Sequence, residues 1–245
     1  MTLPFHPLLG HSINAPKVQV DLSLSPPTHS FTRPNAPIIT QKLTLLPGSP
    51  FNTITLYTEN TPLDPRRALT RAGYTITNLT THEPVKLTTI LNVQRGAYPR
   101  LRAWGSAEEK YFITLHTNDS IPLSAEFGRR NFKPQPWSIV KLGRELDADG
   151  NPRNIRRSAS VTGVDGLEPG REYEIGLNEV DLEKVWWVPL AKEDVLLERG
   201  SRGLDAYLER YEWVKDRPVE FRVMGTRLKV LEEGDDEEDG GIQAV

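Results

Sequence analysis

The stretch Gly166–Leu177, "GLEPGREYEIGL", sets a proline–glycine pair just ahead of alternating Tyr173, Ile175 and Leu177. Proline presets the backbone at the first central position of a type II turn, and glycine accepts the positive φ that the second requires. Strict alternation beyond the turn marks a strand with one buried face, because successive side chains on a strand point to opposite sides. The stretch therefore predicts a turn that delivers Tyr173 at the head of a strand, with Leu167 placed to plug a core.

Outward from this stretch, the same period of two recurs. "VQVDLSLS" alternates Val18, Val20, Leu22 and Leu24 with polar neighbours, and "PIITQKLTLL" puts Ile39, Gln41, Leu43 and Leu45 in phase. "NTITLYTE", "GYTITNL", "PVKLTTIL" and "KYFITLHT" follow, rich in Thr, Ile, Tyr and Val and separated by turn-forming residues. "SASVTGV", the Trp-bearing "EKVWWVP" and "PVEFRV" continue the series, the last reading as the final strand. Short strands without intervening helices predict a mainly β chain folded as an antiparallel sandwich. Residues 129–157 break the rhythm and read as a long excursion between strands. Leu204, Tyr207, Leu208, Tyr211 and Val214 recur at spacings of three and four, which predicts a helical stripe ended by Pro218 within an insertion at 190–217. The expected organisation is a flexible segment at 1–16, one domain at 17–231 and an acidic tail at 232–245.

The run Leu167-x-Pro169-Gly170-x-x-Tyr173 resembles the tyrosine corner of fibronectin type III and other immunoglobulin-like domains. There a tyrosine hydrogen-bonds to backbone a few residues upstream and locks the crossover between sheets. The same residues also fit an ordinary hairpin. A longer resemblance joins "ITLYTENTPLDPRRAL" (Ile54–Leu69), the Pro-Gly stretch, "VWWVPLAKEDVLLERGSRGLD" (Val185–Asp205) and "PVEFRV" (Pro218–Val223). In that order they resemble a group of uncharacterised β-sandwich proteins of filamentous fungi, which implies a fold and a source but no activity. A similarity of topology alone is to the β-sandwich propeptides of deuterolysin-type metalloproteases.

Apolar residues make up 37% and charged residues 26% of 245, enough of each for a core and a polar surface. There is no cysteine, which excludes disulfides, zinc–thiolate sites and thiol nucleophiles. "MTLPFHPLLGHS" lacks a basic opening and interrupts its apolar residues with Pro4, His6, Pro7 and Gly10, so a cytoplasmic chain is expected, with the nucleus also open. No apolar run reaches membrane-spanning length. The net charge of −3 conceals an asymmetry: "EEGDDEED" holds seven acids, and without them residues 1–231 carry +4. Such a block is expected to stay solvated and disordered.

The motifs that carry chemistry fail on inspection. "HEPVK" from His82 begins like a zinc-protease helix, but Lys86 stands where the second histidine belongs and Pro84 opposes the helix. "ELDADGNPRNIR" offers Glu145, Asp147, Asp149 and Gly150 in calcium-loop order, but its twelfth position is Arg156, a cation where a bidentate carboxylate is needed. There is no nucleophile elbow, phosphate loop or dinucleotide fingerprint. No catalytic, metal or cofactor residue is therefore expected. Carboxylates converging in three dimensions remain open to an enzyme of the glycosidase type.

What remains is a surface. Trp186 and Trp187 must face opposite ways on a strand, one inward and one available to a helix or a partner, and their flanks leave the choice open. Arg66, Arg67, Arg100, Arg129 and Arg130, with further arginines and interleaved aromatics, suggest a basic face. The charge bias is small for a nucleic-acid binder. The expected function is a non-enzymatic module binding another protein through Trp186, Trp187, Arg66, Arg67, Arg100, Arg129 and Arg130. The alternatives are an enzyme or small-ligand-binding sandwich with a loop-built site, or a protease-inhibitor or propeptide-like role.

Overall fold

The computed structural model describes residues 14–85, 100–128, 144–146, 152–154, 164, 166–214 and 217–232. The first half runs β1 (Lys17–Ser25), β2 (Thr28–His29), β3 (Ile38–Leu45), β4 (Thr53–Tyr57), α1 (Pro65–Ala68), β5 (Tyr74–Asn78), β6 (Phe112–His116) and β7 (Ser120–Glu126). The second half runs β8 (Arg144–Leu146), β9 (Pro152–Asn154), β10 (Glu172–Leu177), α2 (Glu179–Leu182), β11 (Trp186–Val188), α3 (Lys192–Val195), β12 (Glu220–Met224) and β13 (Thr226–Val230). The chain is mainly β, and its described helices are short.

Sheet A has the order β12-β1-β3-β7, sheet B β2-β13-β10-β5 and sheet C β11-β4-β6, while β8 and β9 form a separate two-stranded ribbon. Alternation decides which faces turn inward. Val18, Val20, Ile39, Leu43 and Leu45 of sheet A are fully buried, and they share one apolar cluster with Ile76, Tyr173, Ile175 and Leu228 of sheet B and Ile54, Leu56 and Trp187 of sheet C. On the opposite face of sheet A, Thr40 pairs with Ser124 (2.8 Å) and Thr44 with Ser120 (2.7 Å) at the surface.

The Pro-Gly stretch folds as its residues dictate. Gly170 takes φ +72°, Leu167 is fully buried, and the Glu168 N–H donates to the Tyr173 phenol oxygen at 2.7 Å. Burial first, opposed by that hydrogen bond, raises the phenol's pKa, so the group stays neutral. Gln41, the polar residue within the apolar phase of β3, is fully buried. Its amide donates to Pro62 O at 2.9 Å and to the Tyr74 hydroxyl at 3.0 Å.

Four expectations need correction. The sheets are not all antiparallel, because β1 pairs with β12 and β13 with β2 in parallel. "PVEFRV" supplies β12, but β13 follows it as the last strand among the described residues. The stripe from Leu204 to Val214 is not a helix. It forms two three-residue 3₁₀ turns, Leu204–Ala206 and Leu208–Arg210, separated by extended Tyr207. Its backbone bonds outward instead: Leu208 N–H to Arg100 O, Val214 N–H to Trp187 O, and Arg102 N–H to Ala206 O. A stretch of about eleven residues is too short to hold a helix by itself, and partners on neighbouring segments win. Finally, β7 was not expected at all, since Pro122 in "SIPLSAE" weakens its strand signature.

Several expectations lie outside the described residues: positions 1–13, most of the excursion 129–157, "KLTTIL", "SASVTGV" except Val164, and the tail beyond Glu232. No helix among the described residues is long and apolar enough to cross a membrane.

Candidate functional site

Strand β4 is buried on both faces. Ile54 and Leu56 enter the main core, whereas Tyr57 heads a second cluster with Phe112, Val188, Leu208 and Trp213 on the outer side of sheet C. The segment after β11 covers that side, and Thr55 fastens it by donating its hydroxyl to Leu190 O at 2.7 Å. Register then assigns the tryptophans. Trp187 lies opposite Leu56 and is 1% exposed, with its indole N–H donating to Arg217 O at 2.8 Å. Trp186 lies opposite Tyr57, half-buried and stacked on it with centroids 6.0 Å apart, while Trp213 lies 5.7 Å away. Trp187 is thus a core residue, and Trp186 belongs to the surface cluster.

Cations cap this cluster. Arg100 lies 5.6 Å over Trp186, Arg102 4.4 Å over Tyr211, and Arg67 5.7 Å and Lys110 5.0 Å over Tyr111. Contacts at such distances add to packing where the cation is partly desolvated. Glu59 ties the group together. It accepts the Tyr57 hydroxyl at 2.6 Å, Arg67 at 3.2 Å and Arg100 at 3.5 Å. Arg100 also forms a 2.7 Å ion pair with Glu209. Burial opposes the Arg100 charge, but Glu209's hydrogen bond and charge outweigh it and raise its pKa. Burial, the hydrogen bond to Glu59 and Glu59's charge together push the Tyr57 phenol far above its ordinary value. Arg67 and Arg71 further share Asn60 Oδ1, and Asn60 adopts φ +61°. Arg67 and Arg100 are therefore engaged within the fold. Arg66 is exposed, and Arg129 and Arg130 lie outside the described residues.

Beside this cluster the edges of sheets A and C come to an end. Among the described residues sheet A ends at β7 and sheet C at β6. A cleft of about 850 Å³ opens between β7, α1 and the Lys110–Ile113 stretch. Its lining includes fully buried Leu63, half-buried Ile113 and Leu123, and exposed Arg66 and Lys110. Leu123 pairs with buried Gln41 and Ile113 with Leu56, so both point to the core side of their sheets. They stay half-buried because no further strand closes the seam among the described residues.

Asp64 also lines the cleft. It precedes α1, is 6% exposed, and its Oδ2 has no hydrogen-bond partner, with Arg67 Nε 3.7 Å away in an ion pair. Burial raises its pKa despite Arg67 and the nearby backbone amides of Arg66 and Arg67. Sequence reasoning passed over Asp64, Glu59, Lys110 and Tyr111, because their roles depend on which strands end where. Among the described residues no group of three His, Asp or Glu side chains is placed to hold a metal ion. Comparison with protein-family models, with curated proteins and with solved structures finds no match to this chain.

Proposed function

We propose that the chain is a non-enzymatic, intracellular interaction module, built as an immunoglobulin-like sandwich, which binds another protein at the seam between β6 and β7. The seam carries the reading: Ile113 and Leu123 face the core side yet open on a cleft of about 850 Å³ flanked by Tyr111, Arg66 and Lys110. An apolar floor within a rim of arginine and tyrosine has the composition of protein-binding hot spots. Half-buried Trp186 under Arg100 extends the same surface towards sheet C. The hydrogen bond at Tyr173 supports the immunoglobulin-like reading, and the absence of cysteine suits a reducing compartment. The reading also keeps the likeness to fungal β-sandwich proteins, since segments that carry it meet at the β4–β11 pair.

Crosslinking and affinity purification with the full chain test this. A partner captured by the parent and lost with Leu123→Arg, at unchanged circular dichroism, supports the seam. The same partner held equally by both removes it. A second reading, a small-ligand site, is favoured by the buried Asp64 oxygen that lacks a hydrogen-bond donor. It requires that n-butylammonium shift the Asp64 carboxyl resonance, and an unmoved signal ends it.

A further inference from the structure

The hydrogen-bond phase of β7 shows what the edge that pairs with no other described strand offers. The Phe127 N–H donates to Pro37 O at 2.7 Å, and these residues continue the β3–β7 register. Hydrogen-bonded pairs alternate along an antiparallel ladder. Leu123 and Ala125 therefore turn their backbone groups to β3, whereas Pro122, Ser124 and Glu126 turn theirs outward. Pro122 has no N–H to offer, which blunts one end of the edge. Ser124 and Glu126 offer both N–H and C=O, are exposed, and line the cleft. Across the cleft Arg67 is ion-paired with Glu59 and Asp64, whereas Arg66 and Lys110 make no ion pair among the described residues.

We infer that an extended peptide adds to β7 as a fifth strand of sheet A, alternating apolar residues with an acidic residue that meets Arg66 and Lys110. The inference rests on the seam being the protein-binding surface and names the partner's chemistry. An added strand lies roughly 4.8 Å from β7 and places alternate side chains on the core side, over Leu123 and Ile113. Main-chain bonds to Ser124 and Glu126 supply affinity, and side-chain pockets supply selectivity. The cationic wall selects an acid opposite Arg66 and Lys110, while Glu126 disfavours one beside itself.

A phage-displayed library of random nonapeptides selected against the full chain tests this. The expected winners alternate apolar residues and carry Asp or Glu. In the free protein the Ser124 and Glu126 amides exchange rapidly with deuterium, and bound peptide protects them. Ser124→Pro removes one outward N–H, keeps the backbone bonds to β3 while losing the Thr40–Ser124 hydroxyl contact, and is expected to weaken binding tenfold or more. If that variant misfolds, Arg66→Ser with Lys110→Ser decides instead, by weakening acidic peptides severalfold while sparing their Gln analogues. No enrichment, Ser124 and Glu126 amides already protected in the free chain, or affinity indifferent to Ser124→Pro each overturns the inference. Peptides that lose affinity on Trp186→Ala but not on Ser124→Pro overturn it while leaving the interaction-module reading in place.

Discussion

The Glu168 N–H donates to the Tyr173 phenol oxygen over 2.7 Å, so the turn at Pro169–Gly170 is closed from inside by a side chain five residues along. Tyr173→Phe keeps the ring in the core and removes only the acceptor. The expected cost is about 1 kcal/mol in urea unfolding, the usual range for a neutral hydrogen bond. Equal stability of the two proteins would show that water replaces the phenol without loss.

Gln41 makes two buried hydrogen bonds, to Pro62 O and the Tyr74 hydroxyl, and so ties β3 to the chain around α1 and β5. Gln41→Leu strands both partners and is expected to cost about 1–3 kcal/mol. Tyr74→Phe then removes one stranded group, so the double variant should cost less than the two single changes together. Strict additivity in a double-mutant cycle would deny the coupling.

Trp213 is 6% exposed, donates its indole N–H to Leu208 O at 2.8 Å and lies 5.7 Å from Trp186. Trp213→Ala should cost about 3–5 kcal/mol, the range for deleting a large buried aromatic. It should also red-shift the remaining emission as Trp186 meets water. Unchanged stability and an unshifted spectrum would mean that the 203–214 segment packs there only loosely.

Asp64 has a raised folded-state pKa, caused first by burial. The folded state then binds its proton more tightly than the unfolded state, so this group's contribution to stability falls as pH rises from the ordinary carboxyl value of 3.8 through the raised one. Asp64→Asn removes the titration. The stability of Asp64→Asn relative to the parent should therefore rise between pH 3.5 and pH 7, read by urea unfolding at several pH values. A difference that stays flat or falls across that window contradicts the raised value.

Strands buried on one face were legible from the sequence. In β1 and β10 the alternation of apolar and polar residues is the same fact as the inward and outward faces of the sheet. Strand β4 shows why legibility ended at the site. Its Thr55 and Tyr57 look like the polar side of a one-faced strand, and they become buried only because 190–214 folds across them. The order Trp186 outside, Trp187 inside follows from pairing with Tyr57 and Leu56, and no local flank encodes that register. Parallel pairing of β1 with β12 joins residues some two hundred positions apart and has no local mark. The cleft escaped because it is made by endings, of β6 and β7, rather than by a motif.

That parallel pairing also governs how the protein is made. Strand β1 lies in sheet A between β3 and β12, and among the described strands β2 pairs with β13. On a ribosome, domains emerge from the amino terminus at roughly 5–20 residues per second. Here the earliest strands must wait for the latest before either sheet A or sheet B is complete. Contacts so distant in sequence slow folding, because a long loop must be closed before they form. A nascent chain halted before Glu220 would hold β1 with one edge bare, and its recruitment of chaperones should end once Val230 leaves the exit tunnel.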